Sequence, residues 1–355
     1  MLFPYTYVPH QMEKMQAFVD FIFHEVWCKA PASGNYSLDL FAANPELHEV
    51  MTAFHYDDSK GAEFFSGHIE RIYGLFAVLS EAQIDQFRRG YCANNDIEKI
   101  CANDPAAPVT RYADFPAELK DMRDQLKSFF KNLYSHLDIA KLRVKIGEID
   151  DHYDNAFLSV NQTGKCPFCG IGDIKGPHYT KREAYDHYLP KALYPFNSIN
   201  FRNLAPACHE CNSTYKLTKD PLNSAVGRRR AFYPYANEAY SIDIKVELRK
   251  PDVDKLTTDE VQLEFGPAAL SEQIATWKEV YGIEERYKAK CCSGDAKDWL
   301  EQIRVLRDEY GIDPAASLIS LRQQIEKAPF ANSNFLKIAF LEGCDRVGIL
   351  SSLGS

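Results

Sequence analysis

Large apolar residues recur at intervals of three and four in the first part of the chain, which is the spacing of an amphipathic helix. One such series comprises Phe65, Ile69, Ile72 and Phe76. Another comprises Leu119, Met122, Leu126, Phe129, Leu133 and Leu137. Between the two series, the proline-containing stretch 101–112 carries few large apolar side chains and predicts a loop. The pattern therefore predicts a helical domain over residues 1–160.

The pattern changes twice towards the carboxyl end of the chain. Residues 241–248 and 261–265 alternate apolar and polar side chains, which predicts two short strands that could pair. Helical spacing then returns in a series formed by Trp299, Ile303, Leu306 and Tyr310. Gly311 is a suitable end for that helix, and Asp313 before a proline suits the start of the next one. Residues 236–355 are thus predicted to be short strands followed by a helical region.

The middle segment, residues 161–235, loses the helical spacing and gathers prolines, asparagines and histidines. It also contains two Cys-x-x-Cys pairs, formed by Cys166, Cys169, Cys208 and Cys211. Gly170 directly follows the first pair, as a tight turn there commonly needs. Two such pairs supply the four thiolates of a tetrahedral Zn²⁺ site, whereas a redox motif needs only one pair. Four thiolates leave no open coordination position, so this zinc is expected to stabilise the fold. The predicted fold class is α+β: a mostly helical protein around a central zinc-stabilised module.

Charge is distributed unevenly along the chain. The 41 lysines and arginines and the 50 acids give a net charge of −9, which by itself disfavours binding to nucleic acid. Residues 165–230, however, hold eleven basic and five acidic residues, net +6, and leave 30 and 45, net −15, elsewhere. The densest basic point is Arg228-Arg229-Arg230, for which a solvated charge run is the alternative. A basic module in an acidic protein is suited to contact with a phosphate backbone.

Polar residues suited to a second metal ion lie between and after the cysteine pairs. Asp186 and His187 are neighbours on an extended segment, so their side chains are expected to point to opposite faces. Asn212 follows the last cysteine, where a helix could begin, and Lys216 lies one turn further on. The oxygens of Asp186 and Asn212 suit a hard cation such as Mg²⁺, and His187 can take up a proton near neutral pH. As alternatives, Asn212 could cap the helix, and Lys216 could contact phosphate or be solvated.

The order Asp-His, then Asn, then Asn directly after a Cys-x-x-Cys pair resembles the HNH endonuclease family in its zinc-ribbon form with a ββα-metal core. The resemblance covers residues 165–219. It implies that His187 is the general base that activates water. It further implies that Asp186 and Asn212 hold a catalytic Mg²⁺ or Mn²⁺ ion, with Asn212 standing where many members have histidine.

The resemblance also implies that a central asparagine fixes the loop that carries the base. Asn203 and Asn200 both lie in the appropriate region. Only the nine-residue distance to Asn212, which is usual in the family, favours Asn203. Asn203 is therefore the predicted member of the catalytic set, and Asn200 remains the alternative.

As a function, the resemblance implies a metal-dependent endonuclease that hydrolyses phosphodiester bonds in DNA. Similar modules occur in bacterial restriction and anti-phage systems, including the Septu type, in which the nuclease works beside an ATPase. The expected partners are therefore DNA, an ATPase or another regulatory protein, and a second copy of the chain. One alternative is a nuclease directed at RNA. Another is a non-catalytic zinc module that binds nucleic acid or protein.

Membrane and export classes are disfavoured by composition. No stretch approaches the roughly 20 apolar residues that a membrane-spanning helix needs. The first residues do not combine a basic segment with a long apolar one, as a signal peptide would. Ten cysteines in 355 residues are too dilute for a disulfide scaffold. We therefore expect a cytoplasmic protein without a membrane partner.

Overall fold

Helices make up most of residues 1–352, which are the residues that the computed structural model describes. The α-helices before the first cysteine pair are α1 (Glu13–Phe21), α2 (Ala30–Ser33), α3 (Pro45–His55), α4 (Lys60–Phe76), α5 (Glu81–Asn95), α6 (Ile97–Cys101), α7 (Lys120–Leu133), α8 (Ala140–Ile146), α9 (Ile149–Asp151) and α10 (Leu158–Val160). The α-helices in the last part of the chain are α11 (Ser271–Tyr281), α12 (Ile283–Cys291), α13 (Gly294–Tyr310), α14 (Pro314–Lys327), α15 (Asn334–Arg346) and α16 (Ile349–Ser352). The mostly helical α+β class is confirmed.

Short segments of tighter or wider helix extend and connect these elements. The π-helical segments are Ile22–Trp27, His152–Phe157 and Glu210–Lys216. The 3-10 segments are Leu38–Phe41, Tyr112–Asp114, Ala117–Leu119, Tyr134–His136, Phe201–Asn203, Thr258–Glu260, Ala268–Leu270 and Ala331–Ser333.

The two apolar series of the amino-terminal region lie on the inner faces of α4 and α7. In α4 the four predicted residues have no exposed surface, and Ser59 caps the helix by accepting a hydrogen bond from the backbone N–H of Ala62. In α7 the inner face is formed by Met122, Leu126, Phe129, Phe130 and Leu133. Helix α6 ends at Cys101, and the proline-containing stretch after it has no α-helix. Both predicted helices and the loop between them are confirmed.

Three separate two-stranded antiparallel sheets complete the described fold. They pair β1 (Tyr185–His187) with β2 (Leu204–Pro206), β3 (Asn223–Ser224) with β4 (Gly227–Arg228), and β5 (Asp243–Leu248) with β6 (Val261–Gly266). The β5–β6 pair confirms the two strands predicted from alternation. Helix α15 packs against it so closely that a side chain at Gly343 would lie 2.6 Å from the carbonyl oxygen of Val246.

Helix α13 follows its predicted pattern only in part. Trp299 and Ile303 are buried, but Tyr310 is 68% exposed, so the apolar stripe ends before the last turn of the helix. Gly311 adopts a positive φ of 67° and closes α13, as predicted. Asp313 caps α14, because its carboxylate accepts a hydrogen bond of 3.2 Å from the backbone N–H of Ala316.

One continuous cluster of buried apolar side chains contains residues from all three predicted domains. The cysteine-rich segment is held on both sides by hydrogen bonds to its backbone. Leu2 donates from its backbone N–H to the carbonyl of Pro167 at 2.9 Å, and the Trp277 indole donates to the carbonyl of Phe168 at 2.6 Å. The domain boundaries at residues 160 and 235 stay predictions. Within the described residues, no helix is both long and apolar enough to cross a bilayer.

Candidate functional site

The four cysteines of the two pairs come together in one buried cluster. The sulfur atoms of Cys166, Cys169, Cys208 and Cys211 all lie within 4.8 Å of one another. All four side chains are buried, and none forms a disulfide. Four convergent thiols are the ligand set of a structural zinc site, so the cluster could hold a structural metal such as zinc. Within residues 1–352, no other group of three or more His, Cys, Asp or Glu side chains has this arrangement.

Tight turns beside the cysteines require glycine. Gly170 has a positive φ of 67°, and its backbone N–H donates to the carbonyl of Cys166 at 2.7 Å. The backbone N–H of Gly172 lies 3.4 Å from the sulfur of Cys169, to which it donates. A side chain at Gly172 would lie 2.6 Å from the sulfur of Cys208, so any larger residue would displace a ligand atom. The glycine turn predicted after the first pair is confirmed.

A basic residue far along the chain also reaches the cluster. The Arg286 guanidinium donates to the sulfur of Cys211 at 3.2 Å and lies 4.8 Å from the centre of the Tyr215 ring. Four thiolates around one Zn²⁺ ion carry a net charge of −2, and the half-buried arginine beside them would offset part of it. Arg286 follows the last cysteine by 75 residues, and nothing in the local sequence pattern marks it as a metal-site residue.

The strands β1 and β2 and the helix Glu210–Lys216 form one connected unit. Asp186 of β1 pairs with Ala205 of β2, and the second cysteine pair follows directly. The backbone N–H of Asn212 donates to the carbonyl of Cys208 at 3.0 Å, so the helix grows from the turn of that pair. At the far end of the helix, the Lys216 ammonium donates to Asp186 Oδ1 at 2.7 Å and to the carbonyl of His187 at 2.8 Å.

Lys216 therefore lies in the interior, and the expectation of a phosphate-contacting or solvated lysine is wrong. Only 1% of its side chain is exposed, and 2% of that of Asp186. The ammonium satisfies a carboxylate that would otherwise be buried alone, which is the physical reason for its inward position. The spacing of the two residues along the chain contained no signal for this pairing.

The Asp186 carboxylate has one satisfied oxygen and one that is free. Oδ1 accepts the bond from Lys216, while Oδ2 is buried without a hydrogen-bond partner. Burial raises the pKa of this carboxyl, and the neighbouring ammonium opposes the rise. A buried oxygen with unused lone pairs is rare in folded proteins and calls for an explanation such as a bound ion.

The His187 ring is partly buried and has a defined orientation. Its Nε2 atom lies 3.0 Å from the carbonyl oxygen of Ser198, and its ring packs edge-on against Tyr134 with 4.8 Å between centroids. A carbonyl can only accept, so Nε2 carries the proton and Nδ1 keeps its lone pair when the ring is neutral. Burial, assisted by the charges of Lys191 and Lys216, lowers the pKa of His187 to about 3.

Asn203 and Asn200 make different contacts. Asn203 is fully buried; its Oδ1 accepts from the backbone N–H of Leu189 at 2.7 Å, and its Nδ2 donates to the carbonyls of Leu189 and Asn197 at 3.2 Å. Asn200 instead donates to the backbone of Asn95 in the amino-terminal region. Of the two, Asn203 is thus the one whose side chain fixes the segment that follows His187. Its membership in a catalytic set stays a prediction.

Asn212 lies inside the helix and does not cap it. The capping position is occupied by His209, which makes no side-chain capping bond. The Asn212 side chain is half-buried and makes no hydrogen bond to any described residue. It precedes Lys216 by four residues, which places the two on the same side of the helix. A role for Asn212 as metal ligand stays a prediction.

The arginine triplet is divided among different surroundings. Arg229 is 9% exposed, forms an ion pair with Glu279 and donates to the carbonyl of Asp220 at 2.7 Å. This acid on α11 already neutralises Arg229, and the assignment of Arg229 to nucleic-acid binding stays a prediction. Arg228 donates to the carbonyl of Ile100 at 3.1 Å, and Arg230 is exposed. For these two, contact with nucleic acid stays a prediction.

Two known proteins resemble parts of the chain. Protein ea31 of Escherichia phage lambda is 40% identical over 98 residues, which cover 27% of this chain and 29% of ea31. The Septu protein PtuB of Bacillus thuringiensis is 34% identical over 61 residues, which cover 16% of this chain and 23% of PtuB. No family model and no solved structure matches. The matched segments therefore span less than a third of the length of either relative. The similarity to both proteins, one of which is a Septu protein, is distant and local.

Proposed function

We propose that the chain is a metal-dependent endonuclease of the HNH type that hydrolyses nucleic-acid phosphodiester bonds in defence against phage. In this proposal β1, β2 and the helix Glu210–Lys216 form the ββα core, and the four-cysteine cluster stabilises it with zinc. The remaining helices form the scaffold. The similarity to a Septu protein supports the assignment to phage defence.

One observation carries the proposal: His187 keeps an unpaired ring nitrogen, and the preceding residue of the same strand, Asp186, is a buried carboxylate with one unsatisfied oxygen. Its Nε2 donates to the Ser198 carbonyl, which fixes the tautomer and orients the ring. Nδ1 has no hydrogen-bond partner among the described residues. Nδ1 is therefore free to accept a proton from a water molecule, as a general base must. A purely structural zinc module would need neither this orientation nor the orphaned oxygen of Asp186.

The residues around Asp186 fit a hard divalent cation. Asp186 Oδ2 is an unsatisfied buried oxygen, and the Asn212 side chain has no competing partner among the described residues. These two side chains would hold the ion and leave its other positions to water, as Mg²⁺ prefers. When bound, Mg²⁺ or Mn²⁺ would supply positive charge to the phosphate and to the departing 3′ oxygen.

The protein residues divide the remaining work. His187 takes a proton from the attacking water, so that hydroxide reaches phosphorus in line with the 3′ oxygen. Asn203 holds the backbone at Leu189 and Asn197 and so keeps the segment after His187 in place. The products would carry a 5′ phosphate and a 3′ hydroxyl. An ATPase or other regulatory partner and a second copy of the chain belong to the proposal as expectations.

The test is a cleavage assay on zinc-loaded protein. Supercoiled plasmid DNA and a folded RNA are incubated separately with Mg²⁺ or Mn²⁺ and without added divalent cation. The proposal predicts cleavage of at least one substrate that needs the added cation, and preference between the two identifies the nucleic acid. Binding without cleavage under all conditions, also with phage-infected cell extract to supply a partner, would favour the non-catalytic zinc module.

A further inference from the structure

Helix α7 presents two lysines that no acid neutralises. The other basic residues of this helix are paired: Lys120 lies 2.8 Å and Arg123 2.9 Å from the carboxylate of Asp124. Lys127 and Lys131 are exposed, stand one turn apart and have no carboxylate within 4.0 Å among the described residues. Unpaired lysines on one face of a helix form a local positive potential.

This face continues directly to His187. Tyr134 follows Lys131 by three residues, and its ring packs edge-on against the His187 ring. The Lys191 ammonium also contacts this tyrosine: it lies over the ring, 5.3 Å from the ring centre. Tyr134 therefore links the basic end of α7 to the histidine and holds Lys191 beside both.

The two ammonium groups at this point repel each other. Burial and the positive charge of Lys131 lower the pKa of Lys191, so the two side chains are close enough for their charges to interact. Asp150 is the acid whose charge acts on Tyr134, and it is already paired with Arg182 at 3.1 Å. Two adjacent cations without a counter-ion are costly in an isolated protein, and an anionic ligand would remove that cost.

We propose that Lys131 and Lys191, positioned by Tyr134, bind the phosphate backbone of a nucleic-acid strand next to His187. The inference rests on the proposed nuclease function and adds to it the substrate contact. It assigns the strand-binding role to Lys131 of the amino-terminal helical region and to Lys191. Lys216 and Arg229, by contrast, already form ion pairs with Asp186 and Glu279. Phosphate contact of this kind is independent of base sequence.

The test is equilibrium binding of fluorescently labelled 20-mers to zinc-loaded protein without added Mg²⁺ or Mn²⁺. Single-stranded and duplex DNA and the corresponding RNA are compared over a range of salt concentrations. Each phosphate contact to duplex DNA contributes about 0.9 to the slope of log affinity against log salt. The pair K131Q/K191Q should therefore lower the slope by about 2, and K131Q alone by about 1. The matched control is K255Q/K327Q, which removes two exposed lysines of the carboxyl-terminal region that have no carboxylate within 4.0 Å among the described residues.

The outcomes separate the two claims. If wild type and K131Q/K191Q bind with equal affinity and equal salt slope while the wild type cleaves, this inference is overturned and the nuclease function stands. Absence of both binding and cleavage in the wild type would overturn both. A selective loss in K131Q/K191Q, with unchanged zinc content and an unchanged control, supports the inference. The DNA or RNA arm with the larger loss identifies the strand that this surface binds.

Discussion

The ammonium of Lys216 lies 2.7 Å from Asp186 Oδ1, and the two side chains are 1% and 2% exposed. This pair joins the end of the helix Glu210–Lys216 to the strand that carries His187. Removing one partner would leave the other charge buried and unpaired. Lys216→Met is therefore expected to reduce the free energy of unfolding by about 3–5 kcal/mol, measured by urea denaturation of zinc-loaded protein.

The double variant Asp186→Asn/Lys216→Met removes both charges and should recover a large part of this loss. As a control, Lys120→Met removes an exposed pair and is expected to change the free energy of unfolding far less than Lys216→Met does. A loss in Lys216→Met no larger than that of the control would mean that the pair is not buried as described.

Loss of one cysteine of the cluster should release the structural metal. Cys208→Ser is expected to lower the zinc content from one ion per chain to a small fraction and to expose the buried segment around it. Metal content by mass spectrometry and near-UV circular dichroism measure both effects. Cys92→Ser, at an exposed free cysteine, is the control and should keep its zinc. Retention of one tightly bound zinc by Cys208→Ser would contradict the four-thiolate site.

Arg286 should slow the release of zinc without being a ligand itself. Its guanidinium donates to the Cys211 sulfur at 3.2 Å, and loss of such a partner typically weakens metal affinity about 10- to 100-fold. Arg286→Met should therefore give up zinc faster to a chromogenic chelator. Arg322→Met, which removes a largely exposed arginine, serves as the matched control. Equal release rates in the two variants would exclude this role.

The free energy of unfolding should decrease as the pH is lowered from about 6.5 to 4, because His152 is buried in its neutral form. Burial lowers the pKa of this side chain to about 4, and its Nδ1 lies 2.5 Å from the hydroxyl of Tyr185. The unfolded chain, with an ordinary histidine pKa near 6.5, takes up the proton first as the pH falls. The contribution of neutral His152 to the free energy of unfolding is therefore complete above about pH 6.5. It declines by about 1.4 kcal/mol per pH unit as the pH is lowered towards 4.

The variant His152→Gln removes the titrating group and should flatten the dependence of unfolding free energy on pH by about that slope. The absolute stability will also fall, since the bond to Tyr185 is weakened, so the slope is the informative quantity. The exposed His178→Gln should leave the slope unchanged. An unaltered slope in His152→Gln would show that the histidine is not held neutral by burial.

Local sequence patterns predicted the elements that depend on neighbouring residues. The apolar series of α4 and α7, the β5–β6 pair and the turn at Gly170 follow from spacing and residue type within a few positions. The convergence of four cysteines also followed from sequence, because two identical short motifs have few other uses. The extended segment predicted at Asp186 and His187 is the short strand β1.

The surroundings of the basic residues could not be predicted in this way. Lys216 and Arg229 look like surface residues in sequence, yet each pairs with an acid 30 or 50 residues away. Arg286 approaches the cysteines over a still longer distance along the chain. Such pairings are decided by tertiary packing, which determines whether a charge faces solvent or an opposite charge. Charge counts over a segment therefore overestimated the number of cations available to a ligand.

The central claim is that His187 acts as the general base of a metal-dependent nuclease. The most direct measurement is the single-turnover cleavage rate of His187→Ala on the preferred substrate, with the exposed His178→Ala as matched control. The account predicts a rate about 10²- to 10⁴-fold below wild type for His187→Ala, at unchanged zinc content and substrate affinity, and a wild-type rate for the control. Cleavage by His187→Ala at the wild-type rate would contradict the account.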